Sequence, residues 1–300
     1  NRDQGNGVNL WVAFSLSEYA KLTNDQNAYN SAKKAAQWIE TNRMTKGAVW
    51  YDFGVKVWVT EDNIDAWYAF SSLASAAKLF NDSTNETKYQ NLTDGVKNHL
   101  LTRAYGNHTW YGSNPNIPIT GTYFAAGVNV DTEQVSDAEL FADNQLWGAQ
   151  FLRDSGAKAE SEIQSLLDFA YKKFYFKEPD GRFGLDSKLD NGDKKPKAIN
   201  WEFTGHYIAA KGTKSPELFA QLNSQQQNGG YPHDSKNLPD PYWHSTAISI
   251  NTTNWAYAVN IGTTLLKVAK VTTVEPTAIP PTATPAPKTV TPTPIIESTS

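Results

Sequence analysis

The chain has 300 residues, of which 39% are hydrophobic and 12% aromatic, enough to build a large core in one or two domains. Its formal net charge of −4 provides no basic surplus for neutralising phosphates, which excludes nucleic acid as the main partner. The lack of cysteine excludes disulfides, thiolate metal sites and cysteine nucleophiles. No apolar stretch approaches the ~20 residues of a membrane-spanning helix.

A tryptophan-centred pattern recurs along the chain and predicts one buried helix in each of five units. The tryptophans are Trp11, Trp67, Trp147, Trp201 and Trp255, at intervals of 56, 80, 54 and 54 residues. The long interval contains NPNIPITGTYFAAGVNVDTEQ, which has the composition of a loop insertion. Stretches such as AWYAFSSLASAA are apolar on most sides, as expected of a helix that lines the interior of a ring.

Each of the first four units continues with a second helical pattern and a turn rich in glycine and aromatic residues. Apolar residues recur there at spacings of three and four, in NAYNSAKKAAQWIETNR, TKYQNLTDGVKNHLLTRAY, AESEIQSLLDFAYKKFY and SPELFAQLNSQQ. The turns KGAVWYDFG, YGNHTWYG, DGRFGLDS and NGGYPHDS predict short hairpins. Repeats of this length predict helical hairpins around a ring, with the first helix inside and the second outside.

The last thirty residues differ in composition from the rest of the chain. Residues 271–300 are dominated by Pro, Thr, Ser and Ala, which predicts an extended linker or tail after a folded domain at 1–270. Linkers of this kind are typical of extracellular modular proteins. We therefore expect an extracellular or cell-surface location, with further domains joined through the linker.

The repeat, the turns and the acid-rich stretch TEDNIDAWYA resemble the six-hairpin glycosidase superfamily from about Asn9 to Lys270. The resemblance implies an all-α fold, an (α/α) toroid with short β-hairpin-like loops at the end where the inner helices begin. Polysaccharide lyases and sugar epimerases are among the relatives of this superfamily. A closed ring of six hairpins contains twelve helices, and the sequence supplies about nine. We therefore expect an incomplete or irregular ring, or a missing part before Asn1.

Carboxylates, unlike asparagines, do not recur in every unit. An asparagine stands near each tryptophan, which indicates a role in the scaffold. Acids lie near the inner helix starts of units two to four: Glu61, Asp62 and Asp65; Asp137, Glu139 and Asp143; and Glu202. Glycoside hydrolysis needs one protonated and one ionised carboxyl group across the scissile bond. Together with the resemblance, this predicts a glycoside hydrolase acting on a polysaccharide or oligosaccharide, with neither metal nor cofactor.

The acids take different roles in this hypothesis. Glu61 is the first candidate for the general acid and Glu202 the second, because Trp201 and Phe203 flank Glu202 and are expected to desolvate its carboxyl group. Asp143 and Asp65 are the leading candidates for the base, and Asp62 and Asp137 are weaker ones. The alternative for Glu61 and Asp62 is an ordinary acidic helix start, capped by Thr60.

Large aromatic side chains in predicted connections suggest platforms on which sugar rings stack. The loop aromatics are Trp50, Tyr51, Trp58, Trp110, Tyr111, Tyr231, Tyr242 and Trp243. The predicted substrate-binding residues are Asp62, Trp58, Trp67, Trp110, Tyr111, Trp147, Trp201, His206, Tyr231 and Trp243. Packing of a loop onto the ring is the alternative for each aromatic residue.

Two other functions fit the pattern. A non-catalytic glycan-binding surface module would keep the aromatic residues without acids that face each other. A polysaccharide lyase would need a Tyr or His base and a cation to neutralise a uronate, and the arginines of this chain are few and scattered. No HExxH or other metal-binding spacing is present in the sequence.

Overall fold

The computed structural model describes residues 5–52, 56–111, 116, 118–136, 140–187, 189, 197–211, 215–228, 230–232, 234–235 and 248–249. The helices in these ranges are α1 (Asn6–Thr23), α2 (Gln26–Arg43), α3 (Thr60–Leu79), α4 (Ser83–His99), α5 (Ala142–Asp154), α6 (Glu160–Phe174), α7 (Trp201–Ala210) and α8 (Pro216–Asn223). A π turn, Leu100–Ala104, ends α4. The predicted fifth unit around Trp255 and the predicted linker at 271–300 lie outside the described residues.

Twelve short strands lie in the described connections between the helices and after α8. They are β1 (Met44–Thr45), β2 (Ala48–Val49), β3 (Tyr51–Asp52), β4 (Lys56–Val59), β5 (Tyr105–Trp110), β6 (Ile119–Phe124), β7 (Gly127–Asn129), β8 (Val135–Ser136), β9 (Tyr175–Lys177), β10 (Phe183–Leu185), β11 (Tyr231–Pro232) and β12 (Ile248–Ser249). All of their pairings are antiparallel.

The helices form two rows of an (α/α) toroid. Helices α1, α3, α5 and α7 pack against one another in succession, and each also packs against the helix that follows it in the chain. Helix α3 is buried on most sides, whereas α4 buries a narrow stripe that includes Tyr89, Thr93 and Val96. This confirms the predicted inner and outer rows. None of the described helices has both the length and the apolar surface needed to cross a bilayer.

Two outer helices and three inner helices start differently. Asp25 and Asp82 cap the outer helices α2 and α4 by accepting backbone N–H bonds, as acidic N-caps do. The N-cap residues of α1, α3 and α5 make no such side-chain bond. Thr60 was expected to cap α3, but it is the first helical residue, and its Oγ1 donates to the carbonyl of Ala125 at 2.5 Å. The starts of these inner helices are therefore held by the connections rather than by local caps.

The predicted loop insertion is in fact β structure. Strand β6 pairs with β5 over six residues, from Tyr105 opposite Phe124 to Trp110 opposite Ile119. Strand β7 pairs with β4, which completes a four-stranded sheet in the order β3, β4, β7, β8. The Thr, Tyr, Phe and Ile residues of the insertion favour strands, and distant partners make the pairing possible.

A polar side chain on three inner helices holds a neighbouring strand. In α3, Asn63 accepts from the N–H of Val49 and donates to its carbonyl, both at 2.8 Å. In α5, Gln145 makes the same two bonds with Phe124, at 2.9 and 2.8 Å. In α7, Thr204 accepts from an N–H of β10 at 3.0 Å.

These side chains also define a common register. Each donates to the carbonyl of its own helix's N-cap residue, and Asn9 of α1 does the same. The donor–acceptor distances are 3.2, 2.7, 3.2 and 2.8 Å for Asn9, Asn63, Gln145 and Thr204. We call these four the clamp residues. They occupy the same position in α1, α3, α5 and α7, four residues after the N-cap.

The tryptophans, on which the units were aligned in the sequence, do not share this register. Trp11 and Trp147 lie two residues after a clamp residue, but Trp67 lies four after and Trp201 three before. The tryptophan alignment was therefore wrong for Trp67 and Trp201, although it located the helices correctly.

Gly148 marks the tightest contact between α5 and β6. A Cβ added there would lie 2.2 Å from Cδ2 of Phe124, a side chain that is fully buried. We expect Gly148→Ala to lower the free energy of unfolding by about 1–3 kcal/mol, because overpacking forces the core to shift. Gly121→Ala is the matched control, since its added Cβ would meet its nearest atom at an ordinary 3.4 Å. Urea unfolding of both variants tests this, and equal losses would contradict it.

Candidate active site

The common register places acids of three neighbouring helices at one end of the toroid. Two residues before the clamp residue stand Gly7 in α1, Glu61 in α3, Asp143 in α5 and Glu202 in α7. Glu61 lies within the electrostatic field of both Asp143 and Glu202. The structure therefore brings together three of the acids chosen from the sequence, and the first unit has glycine at the same position.

Glu61 and Asp143 form a hydrogen-bonded pair. Burial raises the pKa of Glu61 well above its ordinary value, and the negative charge of Asp143 raises it further. Glu61 is nevertheless exposed to solvent, although protein surrounds its carboxyl group closely enough for desolvation to raise its pKa. The helix dipole favours an ionised acid at this position by ~0.3–1 kcal/mol, less than one pKa unit, so burial and neighbouring charge outweigh it.

The second member of the pair, Asp143, is also perturbed. Burial raises its pKa to about 6, although the N–H of Asn144, at 2.6 Å, opposes the shift. The charge of Glu202 raises the pKa of Asp143, and a hydrogen bond from Glu61 lowers it. One carboxyl group of the pair is therefore neutral and the other ionised at a pH above the Asp143 pKa of about 6 and below the raised pKa of Glu61.

Asp62 has a structural partner that the sequence did not reveal. Its carboxylate accepts from Nδ2 of Asn6 at 2.9 Å and from the N–H of Gly7, both in the first turn of α1. Burial raises the pKa of Asp62 to about 6 against these two bonds. Since Gly5 gives α1 no side-chain cap, Asp62 caps α1 from the neighbouring helix. Its assignment as a substrate-binding residue or weaker base stays a prediction, to which the structure adds this capping contact.

Asp65 lies one turn below Glu61 and is only 5% exposed. Burial and the charge of Asp62 raise its pKa well above the ordinary value, and a hydrogen bond from the side chain of Trp11 opposes this. A Cβ on Gly7 would lie 3.3 Å from Oδ2 of Asp65, so the backbone of α1 closely covers this carboxylate.

Two residues after the clamp residues, the inner helices carry Trp11, Asp65, Trp147 and His206. The ring centroids of Trp11 and Trp147 are 5.5 Å apart, and those of Trp147 and His206 are 4.6 Å apart. Both tryptophans are partly exposed, whereas His206 is 1% exposed and burial lowers its pKa to about 3. We call Trp11 and Trp147 the indole floor. Trp11 was missed as a site residue; its signal was its spacing from Asn9.

Several predicted sugar platforms are buried instead. Trp58 is fully buried in β4, where its ring meets His99 at 5.0 Å and the guanidinium of Arg103 at 5.5 Å. Buried aromatic residues of the predicted set also include Trp67, Trp110, Trp201 and Tyr231. Their role as exposed platforms is contradicted, because strand pairing and helix packing cover them.

The remaining predicted residues differ in exposure, and some lie outside the described residues. Tyr111 is 50% exposed, as expected of a loop aromatic. Trp50 and Tyr51 are partly exposed, and Arg43 packs against both rings, at 5.1 and 5.8 Å. Asp137, Tyr242 and Trp243 lie outside the described residues. Among the residues that are described, no three His, Asp or Glu side chains converge in a way that would hold a metal ion.

Comparisons with known proteins agree on the fold. No protein-family model and no curated protein matches the sequence. Among solved structures, the chain is similar to a sialidase (13% identity, TM-score 0.54), over 84% of this chain and 26% of the other. It is also similar to a cellobiose 2-epimerase from Bacillus thermoamylovorans (13%, TM-score 0.54), over 84% and 70% of the two chains. A GH76 α-mannanase from Bacteroides thetaiotaomicron gives 10% identity and a TM-score of 0.50, over 85% and 69%.

These neighbours share the (α/α) toroid fold, and this chain has that fold. The sequence identities are too low to assign one family within it. The chain spans about a quarter of the sialidase chain and about 70% of the other two. What the chain does must therefore be argued from its own site.

Proposed function

We propose that this protein is a glycoside hydrolase that cleaves a polysaccharide or oligosaccharide, with Glu61 as general acid and Asp143 as the ionised carboxylate. The observation that carries the proposal is the hydrogen-bonded Glu61–Asp143 pair, presented by adjacent inner helices at equivalent positions. Structures of similar fold include a sialidase and an α-mannanase, which supports an activity of this class.

The pair has the electrostatics that acid–base catalysis needs. Two carboxyl groups whose pKa values are pushed apart can act as acid and base at the same pH. In glycosidases the two groups stand ~5–9.5 Å apart to accommodate the bond and, for inversion, a water. Since Glu61 and Asp143 are hydrogen-bonded in the free protein, the proposed mechanism requires the bound sugar to separate them. Glu202, which acts electrostatically on both, is the third carboxylate within reach of the reacting bond.

The charge of the site argues for a neutral glycan. Five carboxylates surround it. Among the described residues, the positive charge of Arg43 lowers the pKa of one of them, Asp62. A uronate would be repelled, whereas neutral sugar hydroxyls can donate hydrogen bonds to carboxylates. This disfavours a polysaccharide lyase, which must neutralise a uronate. The facing acids also disfavour a purely glycan-binding module.

Product analysis over a glycan panel tests the proposal. The panel contains neutral and uronate polysaccharides and oligosaccharides, and the assay measures reducing ends, unsaturated products and epimerised sugars. New reducing ends from a neutral glycan are the expected result. Unsaturated uronate products would indicate a lyase, and a sugar epimerised without cleavage would indicate an epimerase. A melting temperature that rises with a glycan that is not turned over would indicate a binding module.

The pH profile of kcat/KM should be bell-shaped. Catalysis needs Asp143 ionised, so activity should fall as the pH drops through about 6. It also needs Glu61 protonated, so activity should fall again at higher pH as that raised pKa is crossed. The two limbs belong to the coupled pair rather than to single residues. Initial rates across the pH range measure this, and activity that stays constant from pH 4 to 6 would contradict it.

We also propose that the protein acts outside the cell, tethered through residues 271–300. The support is the Pro- and Thr-rich composition of that segment, which lies outside the described residues. Fractionation of expressing cells, with the full chain detected by antibody, tests the location.

A further inference from the structure

Three consecutive residues at the end of β6, Phe124, Ala125 and Ala126, are bonded to both helices that carry the proposed acid and base. On the α3 side, Oγ1 of Thr60 donates to the carbonyl of Ala125 at 2.5 Å, and the N–H of Thr60 donates to the carbonyl of Ala126 at 3.0 Å. On the α5 side, Gln145 holds the N–H and the carbonyl of Phe124, at 2.9 and 2.8 Å. We call these three residues the spacer.

The carbonyl of Ala125 is shared by the two helices. Besides the hydroxyl of Thr60, it accepts from Nδ2 of Asn144 in α5, in a long bond of 3.4 Å. Thr60 directly precedes Glu61, and Asn144 directly follows Asp143. One backbone oxygen therefore contacts the neighbour of the proposed acid and the neighbour of the proposed base.

The spacer is closely packed at both of its ends. A Cβ added to Gly148 of α5 would lie 2.2 Å from Cδ2 of Phe124, which is fully buried. A Cβ added to Gly127, the first residue of β7, would lie 2.7 Å from Cγ1 of Val57 in β4. Because close-packed interiors leave little room for movement, the spacer has a fixed place between the two helices.

Thr60 is the link between the spacer and the first turn of α3. It is fully buried, and the N-cap residue before it, Val59, makes no side-chain cap bond. Asn63 ties the same turn to β2, whereas Thr60 ties it to the spacer and so to α5. The hydroxyl of Thr60 therefore bears on where Glu61 stands relative to α5.

We propose that the spacer sets the distance between the backbone positions of Glu61 and Asp143, and that Thr60 is a positioning residue that holds Glu61 at that distance. The inference rests on the proposed function for the roles of the two acids. It deepens that function by giving a task to the insertion in the long interval of 80 residues, which contains the spacer. In glycosidases the separation of the two carboxyl groups decides whether a water fits between them.

Two substitutions of Thr60 separate its hydroxyl from its shape. Thr60→Val removes the hydroxyl, so kcat should fall about ten- to hundredfold while KM changes less than about threefold, because the acids are misplaced and the substrate contacts are not. Thr60→Ser keeps the hydroxyl and should retain most of the activity. Thr93→Val is the matched control, since Thr93 is also buried and its Oγ1 donates to a backbone carbonyl, that of Tyr89, at 2.8 Å in the outer helix α4. It should leave kcat unchanged.

A titration of carboxyl carbons by NMR gives a readout that needs no substrate. Burial raises the pKa of Glu61, and the charge of Asp143 raises it further, so this pKa depends on their separation. For two charges about 4 Å apart, one more ångström weakens the coupling by about half a pKa unit. The pKa of Glu61 should fall by about that amount in Thr60→Val and should not change in Thr60→Ser or Thr93→Val. The other acids that act on Glu61 are present in all of these variants: Asp65, Asp62 and Glu202.

Two results would overturn the proposal. One is an unchanged pKa of Glu61 in folded Thr60→Val, and the other is an equal fall in Thr93→Val, which would trace the effect to lost stability. Should Thr60→Val fail to fold, Asn144→Ala removes the other side-chain donor to Ala125, and an unchanged pKa of Glu61 in that variant would count equally against the spacer. If the wild type cleaves no glycan, the proposed function fails on its own assay, while the titration still decides the role of Thr60.

Discussion

Glu61→Gln is expected to lower kcat on an unactivated glycan by about 10²–10⁴-fold, the usual contribution of a general acid. Glutamine keeps the shape of the side chain and can donate a hydrogen bond to Asp143, but it has no proton to give to the leaving oxygen. The effect should depend on the leaving group. A dinitrophenyl glycoside of the same sugar leaves without protonation, so the variant should retain most of its activity on it.

Asp143→Asn and Glu202→Gln are the matched controls for this assignment. Asp143→Asn should lose activity on both substrates, because the ionised carboxylate is needed whatever the leaving group. If Glu202→Gln showed the leaving-group pattern and Glu61→Gln did not, the acid would be Glu202, the second candidate from the sequence. Full activity of Glu61→Gln on the glycan would contradict the proposed mechanism.

Stability measurements should show that these losses are not caused by unfolding. The pKa of Glu61 is raised by folding, so the stability contribution of its protonated form is present at low pH and is lost as the pH rises through the folded value. The wild type and Glu61→Gln should therefore melt alike near pH 4, and the variant should melt higher near pH 8. A lower melting temperature of the variant at pH 8 would contradict the assigned direction of the shift.

The acids of the site could be found from the sequence because they are not repeated in every unit, unlike the residues of the scaffold. Asn9 and Asn63 recur because both donate to the carbonyl of an N-cap residue. Glu61, Asp143 and Glu202 have no acidic counterpart in the first unit. The structure explains why, since the equivalent residue there is Gly7, whose backbone passes close to two carboxylates. A comparison of units can therefore identify acids without giving their contacts.

The register of the units could not be read from residue types. The clamp residues Asn63, Gln145 and Thr204 make the same bond to an N-cap carbonyl, but they are three different amino acids. A bond that needs only one donor at the right height accepts asparagine, glutamine or threonine. Tryptophan, the most conspicuous residue in each unit, packs equally well at different heights and so gave a false alignment.

The burial of the loop aromatic residues could not be predicted from a local sequence pattern either. Trp58 is covered because β4 pairs with β7, whose residues lie about 70 positions later in the chain. Trp110 is covered in the same way, within a hairpin that was predicted in part as a loop. Exposure depends on such long-range pairing, which neither turn residues nor hydrophobic spacing encodes.

Gln145→Ala is expected to be among the most destabilising substitutions in the described part of the molecule, at about 3–5 kcal/mol. The side chain is fully buried, and it satisfies both the N–H and the carbonyl of Phe124, at 2.9 and 2.8 Å. Alanine would leave two buried backbone groups without their partner, each at a cost of ~1–3 kcal/mol, and would also open a cavity. Urea unfolding monitored by circular dichroism measures the loss.

Asn144→Ala is the matched control, because Asn144 is the adjacent buried residue of α5 and its side chain makes one long bond, 3.4 Å, to the carbonyl of Ala125. It should cost about 1 kcal/mol. Similar losses in the two variants would mean that the bonds of Gln145 to β6 contribute little. A large loss confined to Gln145→Ala would instead show that a polar clamp two residues after Asp143 fixes both the strand and the start of the helix that presents this carboxylate to Glu61.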